Sequence, residues 1–304
     1  MKTIVVIILL LLVSCGQDKS ASGSEAVLAD MQMPAIYTVN YPLAWMAERL
    51  AGDAARVVFP APTDVDPAFW QPDIDTILEY QQGDLILLNG ANYAKWMAHV
   101  SLPASRLIDT SAGYRKQLIA LDADPVHRHG PVGEHSHGGL AFTTWLDLVL
   151  AQRQLQAVAG VLQRLLPQDS GAIEQRLAAG LKELDDMDVR MTALEQKLDG
   201  APLLYSHPVY QYLQRRYLLN GKALHWEPDL APDANQWQEL ADLLQSHPAR
   251  IMLWEDEPLP QVATRLDEMG IQVVVFTPLG NRPAQGNFSS NMKANIHALE
   301  MALY

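Results

Sequence analysis

Four of the chain's nine histidines, His127, His129, His135 and His137, fall within eleven residues as two His-x-His pairs in a glycine-rich stretch. Imidazoles on a pliant backbone converge on a d-block cation, and histidine suits zinc, copper and nickel. Free imidazole titrates at about 6.5, so most of these groups are neutral and ligating at pH 7, and binding weakens in acid. Ordering some ten residues at about 1–2 kcal/mol each opposes a tight site. The stretch therefore predicts weak, exchangeable binding of several metals, the alternative being an ordinary polar loop. A sparser set lies elsewhere. His207 and Glu255 each follow an apolar run, and Asp66 opens an Asp-Pro pair. A carboxylate beside an imidazole serves as a second ligand or orients the ring. Each of these residues also has a structural use: a buried hydrogen-bonded imidazole for His207, a hinge ion pair for Glu255, a turn for Asp66. No G-x-S-x-G, H-E-x-x-H, P-loop or dinucleotide fingerprint occurs, and no enzymatic activity is expected.

The elements that must position these groups alternate between short β-rich and helical runs. Strands are expected at 35–39, 56–59, 84–88 and 106–109, with helices at 42–51 and 73–82 between them. The pattern returns after Gly200, with strands at 202–206, 222–226, 250–254 and 271–276. Helices are expected there at 209–217, 235–245, 259–269 and 287–303. Between the halves, 146–166 and 170–198 read as helices separated by Pro167; the second would be about 40 Å long. The fold class is α/β: two lobes, each a mostly parallel sheet flanked by helices, joined by one long helix with a cleft between them. Ligands of such sheets sit beyond the carboxyl ends of strands, here after Phe59, Ser206, Trp254 and Phe276. The lobes are expected to span 34–166, including the histidine-rich loop 127–139, and 200–304, with 167–199 linking them.

The first fourteen residues read as an export signal. Lys2 is followed by an apolar run, Ile4 to Val13, too short for a membrane-spanning helix, which needs about 20 residues. It ends in Leu12-Val13-Ser14-Cys15-Gly16, which resembles a bacterial lipobox, so Cys15 is the expected lipid-attachment site. Cys15 is the sole cysteine, which excludes an intramolecular disulfide. Residues 15–33 form a polar tether without apolar period. The formal charge is −13, which argues against nucleic acid as a partner and suits a protein that tolerates or attracts cations.

Taken in order along the chain, seven short motifs resemble those of the zinc and manganese solute-binding lipoproteins of ABC importers. Asp66-Pro-Ala-Phe-Trp-Gln-Pro72 is similar to that family's Asp-Pro-His-x-aromatic-Glu-Pro, and Asp84-Leu-Ile-Leu-Leu-Asn-Gly90 followed by Trp96 resembles its apolar-Gly run. The histidine-rich stretch falls where zinc-specific members carry theirs. Trp145-Leu-Asp147, Tyr205-Ser-His-Pro-Val-Tyr210, Leu253-Trp-Glu255 and Thr277-Pro-Leu-Gly280 complete the set. The resemblance implies a cleft metal held by up to four side chains. Carried over by position, three of these are Ala68, Thr143 and Thr277, and only His207 keeps a ligand type. Alanine has no side-chain donor, and a threonine hydroxyl is a poor one beside imidazole or carboxylate. Glu255 and Asp66 are the neighbours able to repair the set. Trp70, Trp145 and Trp254 border the cleft by the same alignment, with Thr143 and Thr277. An aromatic pocket of that kind also suits an organic ligand or a metal chelate.

The resemblance thus implies a non-catalytic, monomeric binding lipoprotein, exported and anchored to a bacterial membrane facing the periplasm or the cell exterior. Its expected ligand is Zn²⁺, other divalent transition metals being possible, and its expected partner an ABC permease. The competing reading is a metal chaperone or buffer that works through the histidine-rich loop.

Overall fold

In the computed structural model, residues 33–121 and 139–303 are described in full, and 127–128 and 134–135 by their backbone alone. Cys15, the leader 1–14, all but the last residue of the tether, and the side chains of His127, His129, His135 and His137 lie outside these residues.

The N-terminal sheet comprises β1 (Ala35–Thr38), β2 (Arg56–Val58), β3 (Leu85–Leu88) and β4 (Leu107–Asp109), all parallel in the order β2-β1-β3-β4. Helix α1 (Tyr41–Ala51) starts where Asn40 accepts a hydrogen bond from the Leu43 amide at 3.1 Å, satisfying one of the unpaired first-turn donors. Helix α2 (Ile74–Gln82) is capped in the same way by Asp73. At the end of β3 the chain turns through Gly90, at φ +73°, where a β-carbon would stand 1.9 Å from the Ser111 hydroxyl. Only glycine fits there. Two small antiparallel pairs follow, β5 (Ala120–Leu121) with β8 (Gly139–Leu140), and β6 (His127–Arg128) with β7 (Glu134–His135).

Helices α3 (Leu148–Leu165) and α4 (Ser170–Leu198) then carry the chain to the second lobe. The 29 residues of α4 extend about 43 Å. Asp188 on α4 accepts a bidentate pair from Arg216 and the Tyr217 hydroxyl, which ties the helix to the second lobe. Glu183 on the same helix receives Arg49 of α1 at 2.9 Å and Lys293 of the last helix.

The C-terminal sheet is again parallel, with β9 (Pro202–Tyr205), β10 (Asn220–Ala223), β11 (Ile251–Trp254) and β12 (Gln272–Val275) in the order β10-β9-β11-β12. Helices α5 (Gln211–Arg216), α6 (Ala234–Ser246), α7 (Pro260–Glu268) and α8 (Phe288–Met301) flank it. Strand β10 begins and ends earlier than the apolar run 222–226 suggests. Its opening Asn220-Gly221 pair has poor strand propensity, but Gly221 leaves room for the Tyr205 ring.

Because successive strand residues face opposite sides, this sheet serves two cores. Leu203, Tyr205 and Leu253 join the main core that runs through both lobes and the linking helices. Leu204, Leu224, Trp226, Met252 and Trp254 face the other way, into a second cluster with Trp237, Val262 and Leu266. The lobes meet along a seam of direct hydrogen bonds. Trp145 Nε1 donates to the Pro278 carbonyl at 2.6 Å, Tyr212 Oη to Ala141 at 3.0 Å, and the Tyr41 amide to Gly280 at 3.0 Å. Asn281 Nδ2 reaches the Pro62 and Val65 carbonyls.

Candidate metal centre

Three adjacent strands of the C-terminal sheet end in the groups of interest. His207 lies two residues beyond β9, Glu255 directly follows β11, and Glu227 follows the extended stretch that continues from β10. That stretch keeps its place through the Leu224 amide on Tyr205 and the Trp226 amide on Ser206, both at 2.8 Å. Side-chain alternation sends 207, 227 and 255 to the side opposite Trp226 and Trp254, towards the seam between the lobes. One donor atom from each of His207, Glu227 and Glu255 lies within 4.8 Å of the other two. His207 Nδ1 stands 3.8 Å from Glu227 Oε1, and their side chains are 4% and 20% exposed. The His225 ring lies edge-on to that of His207, with centroids 6.0 Å apart.

These spacings fit a small cation. Tetrahedral donors each about 2.1 Å from one zinc ion stand about 3.4 Å apart. The 3.8 Å pair is within about half an ångström of that spacing, and a pair at the 4.8 Å bound closes by about 1.4 Å when it takes up the ion. The electrostatics point the same way. Glu255 keeps some surface, but its carboxyl is enclosed by protein. Burial, with Glu227, Asp66 and Asp256 adding like charge, pushes its pKa from the ordinary 4.5 up to about 8. A carboxyl whose ionisation is opposed by burial and by other carboxylates is one that a cation would relieve.

The other expected residues lie as follows. Asp66 is exposed and organises its own turn: Oδ1 accepts from the Ala68 amide at 2.8 Å, and its carbonyl accepts from Phe69 and Trp70. It is outside the three-residue cluster, because this turn holds it at the surface, though its charge reaches Glu255. Ala68 is fully buried. Thr143 spends its hydroxyl on the Val209 carbonyl at 2.6 Å, and the Thr277 main chain pairs with the Asn295 amide group. Trp145 packs edge-on to Tyr93 within the seam, and Trp70 is half-buried. The expectation that Trp254 lines the cleft is corrected: strand parity turns it into the second cluster, against Trp226. Sequence reasoning missed Glu227 and the neighbouring His225. The signal was present, since the rule that ligands follow strand ends, applied to the run ending at Trp226, lands on Glu227.

The model of the family described as zinc-uptake complex component A, periplasmic, matches residues 36–302. The chain belongs to this family. The zinc-uptake component A relatives include the high-affinity zinc uptake system protein ZnuA of Bacillus subtilis, 23% identical over 97% of this chain and 94% of that protein. Among solved structures, the metal-dependent lipoprotein YcdH from Bacillus subtilis superposes with a TM-score of 0.74 at 20% identity, covering 89% of this chain and 98% of that one. The Zn(II)-bound ZnuA-like domain of Streptococcus pneumoniae AdcA gives 0.73 at 19% identity, covering 88% and 98%. The fold expected from the sequence, two parallel-sheet lobes joined by a long helix, is that of these component A structures. Among the described residues, no helix is long and apolar enough to cross a membrane.

Proposed function

We propose that this chain is the ion-capturing component of an ABC-type zinc importer, and that it holds Zn²⁺ between His207, Glu227 and Glu255. The observation that carries this reading is the convergence of an imidazole and two carboxylates from three neighbouring strand ends in a member of the zinc-uptake component A family. The positions that a ligand set shared between the lobes would use are Ala68, Thr143 and Thr277, so the donors have moved wholly into the C-terminal lobe. One nitrogen and two oxygen donors form a set that zinc accepts. In this reading the chain is exported, anchored through a lipid on Cys15, monomeric and non-catalytic, and it passes its ion to a membrane permease. His127, His129, His135 and His137 act as a looser collector of the same metal.

The test is calorimetric titration of the metal-free protein with Zn²⁺, compared with His207→Ala and with deletion of residues 127–137. His207→Ala removes the tight site, and the deletion lowers stoichiometry while sparing it. If the deletion abolishes all binding and His207→Ala changes nothing, the strand-end cluster is not the metal site and the buffering reading takes its place.

A further inference from the structure

We infer that His225 is the fourth ligand of the ion held by His207, Glu227 and Glu255, so that the C-terminal lobe alone supplies two imidazoles and two carboxylates. This rests on the ion placement proposed above. Zinc takes four donors as a tetrahedron, and the three-residue cluster leaves one corner open. His225 and Glu227 are two residues apart on the extended stretch that continues from β10. Their side chains therefore leave the same face, with Cα atoms about 6.6 Å apart. An imidazole centroid lies about 3.2 Å from a zinc ion bound to its nitrogen, which puts two such centroids about 5.2 Å apart on one tetrahedral ion. The His207 and His225 centroids are 6.0 Å apart, and the 83° between their planes shows that the rings are not stacked. Joining the ion thus asks His225 to close by about 0.8 Å, less than the widest donor pair of the cluster.

The backbone beneath His225 is fixed while its side chain has freedom. The Leu224 and Trp226 amides donate to the Tyr205 and Ser206 carbonyls, and Gln236 Nε2 of α6 donates to the His225 carbonyl at 3.2 Å. The ring itself is only half-buried, so the adjustment falls to its side-chain torsions. Other groups of the chain suit the open corner less well. Thr143 Oγ1 is held on the Val209 carbonyl, and Thr277 offers only a hydroxyl. Asp66 is exposed, on a turn that engages one of its oxygens with the Ala68 amide. Water is a weaker zinc ligand than imidazole, and a ring already tethered beside the ion loses no translational freedom on binding. The second imidazole also bears on the choice of metal: carboxylates suit manganese, whereas added nitrogen donors favour zinc.

The experiment uses the full chain, labelled with ¹⁵N in its histidine rings and loaded with one equivalent of ¹¹³Cd²⁺ as a zinc surrogate. Each ligating imidazole then shows a one-bond coupling between its nitrogen and the metal. His225→Phe keeps a ring in place and removes only its nitrogens. The expected result is two coupled rings in the wild type, one of them missing from His225→Phe. Zinc titrated into that variant should bind about tenfold or more weakly, with manganese affected less. A single coupled ring in the wild type overturns the inference without recourse to any variant. Couplings that all persist in His225→Phe overturn it too, and the ion placement still stands if His207→Ala abolishes one of them. If His207→Ala also leaves every coupling intact, the placement of the ion itself falls, and this inference with it.

Discussion

Replacing Glu255 by glutamine separates the cost of its trapped carboxyl from everything else in the protein. In the metal-free native state the carboxyl titrates near 8, against 4.5 for an ordinary glutamate. Between those values the folded chain holds a proton that the unfolded chain does not. Stability therefore falls as pH rises, by about 1.4 kcal/mol per pH unit at most. The contribution is fully present below pH 4.5 and lost as pH climbs through about 8. From pH 5 to pH 8 this amounts to about 3 kcal/mol, or roughly 10 °C in Tm for a domain of this size. Glutamine keeps the shape and a hydrogen-bonding end but never ionises. Thermal melts of both proteins in a chelator, from pH 5 to 8.5, cancel the titrations they share. The two are expected to melt together at pH 5 and to separate steadily, the variant becoming the more stable. Added zinc should raise the melting point of the wild type at pH 8 by more than that of the variant, by mass action on the folded state. Melting points that stay parallel across the whole range would refute the reasoning, since the carboxyl would then sit in ordinary solvent.

Zinc affinity should rise with pH up to about 8, by about tenfold per unit, because Glu255 must shed its proton to ligate; calorimetry in buffers of differing ionisation heat would show one proton released per ion. Glu227→Gln should weaken zinc by at least tenfold without changing the metal-free stability by more than about 0.5 kcal/mol, as the side chain is partly exposed. Arg216→Ala should destabilise the fold by about 1–3 kcal/mol in urea titration, since it takes two hydrogen bonds from the buried Asp188 on the linking helix and leaves only Tyr217. Trp145→Phe, which removes the donor to Pro278, should cost about 1–2 kcal/mol and increase amide exchange along the seam.

The architecture was legible because period and punctuation agree along this chain. All eight main strands and all eight helices lie within a few residues of their expected places, and α4 spans the expected 170–198. The one sizeable displacement, at β10, came from reading propensity where packing decides: Asn220 and Gly221 are poor strand formers, and the Tyr205 ring needs the missing β-carbon. The candidate site was half legible. His207 and Glu255 follow strands that the apolar runs mark clearly. Glu227 follows a run whose last residues are extended but lie beyond the ladder, and its nearness to His207 arises only when β10 pairs with β9. Asp66 illustrates the converse, since a carboxylate next to Pro67 is as well suited to closing a turn as to holding an ion, and the local hydrogen bond to Ala68 prevailed. Trp254 needed the face of the strand as well as its end. Alternation along Met252, Leu253 and Trp254 assigns that face once Leu253 is known to join the main core.

The seam between the lobes has one property with a longer reach. Trp145, Tyr212, Thr143 and Asn281 all donate across it to main-chain carbonyls, those of Pro278, Ala141, Val209, Pro62 and Val65. Every amino acid carries such a carbonyl, so the accepting side of each bond places no demand on side-chain identity. Residues that supply only the carbonyl can therefore be exchanged at the mouth of the cleft while the two halves keep their docking geometry. Mutational drift that would dismantle an interface made of matched side chains leaves this one standing. Identity is demanded only on the donating side, of Trp145, Tyr212, Thr143 and Asn281, and positions 278, 141, 209, 62 and 65 stay free to vary without the halves coming apart.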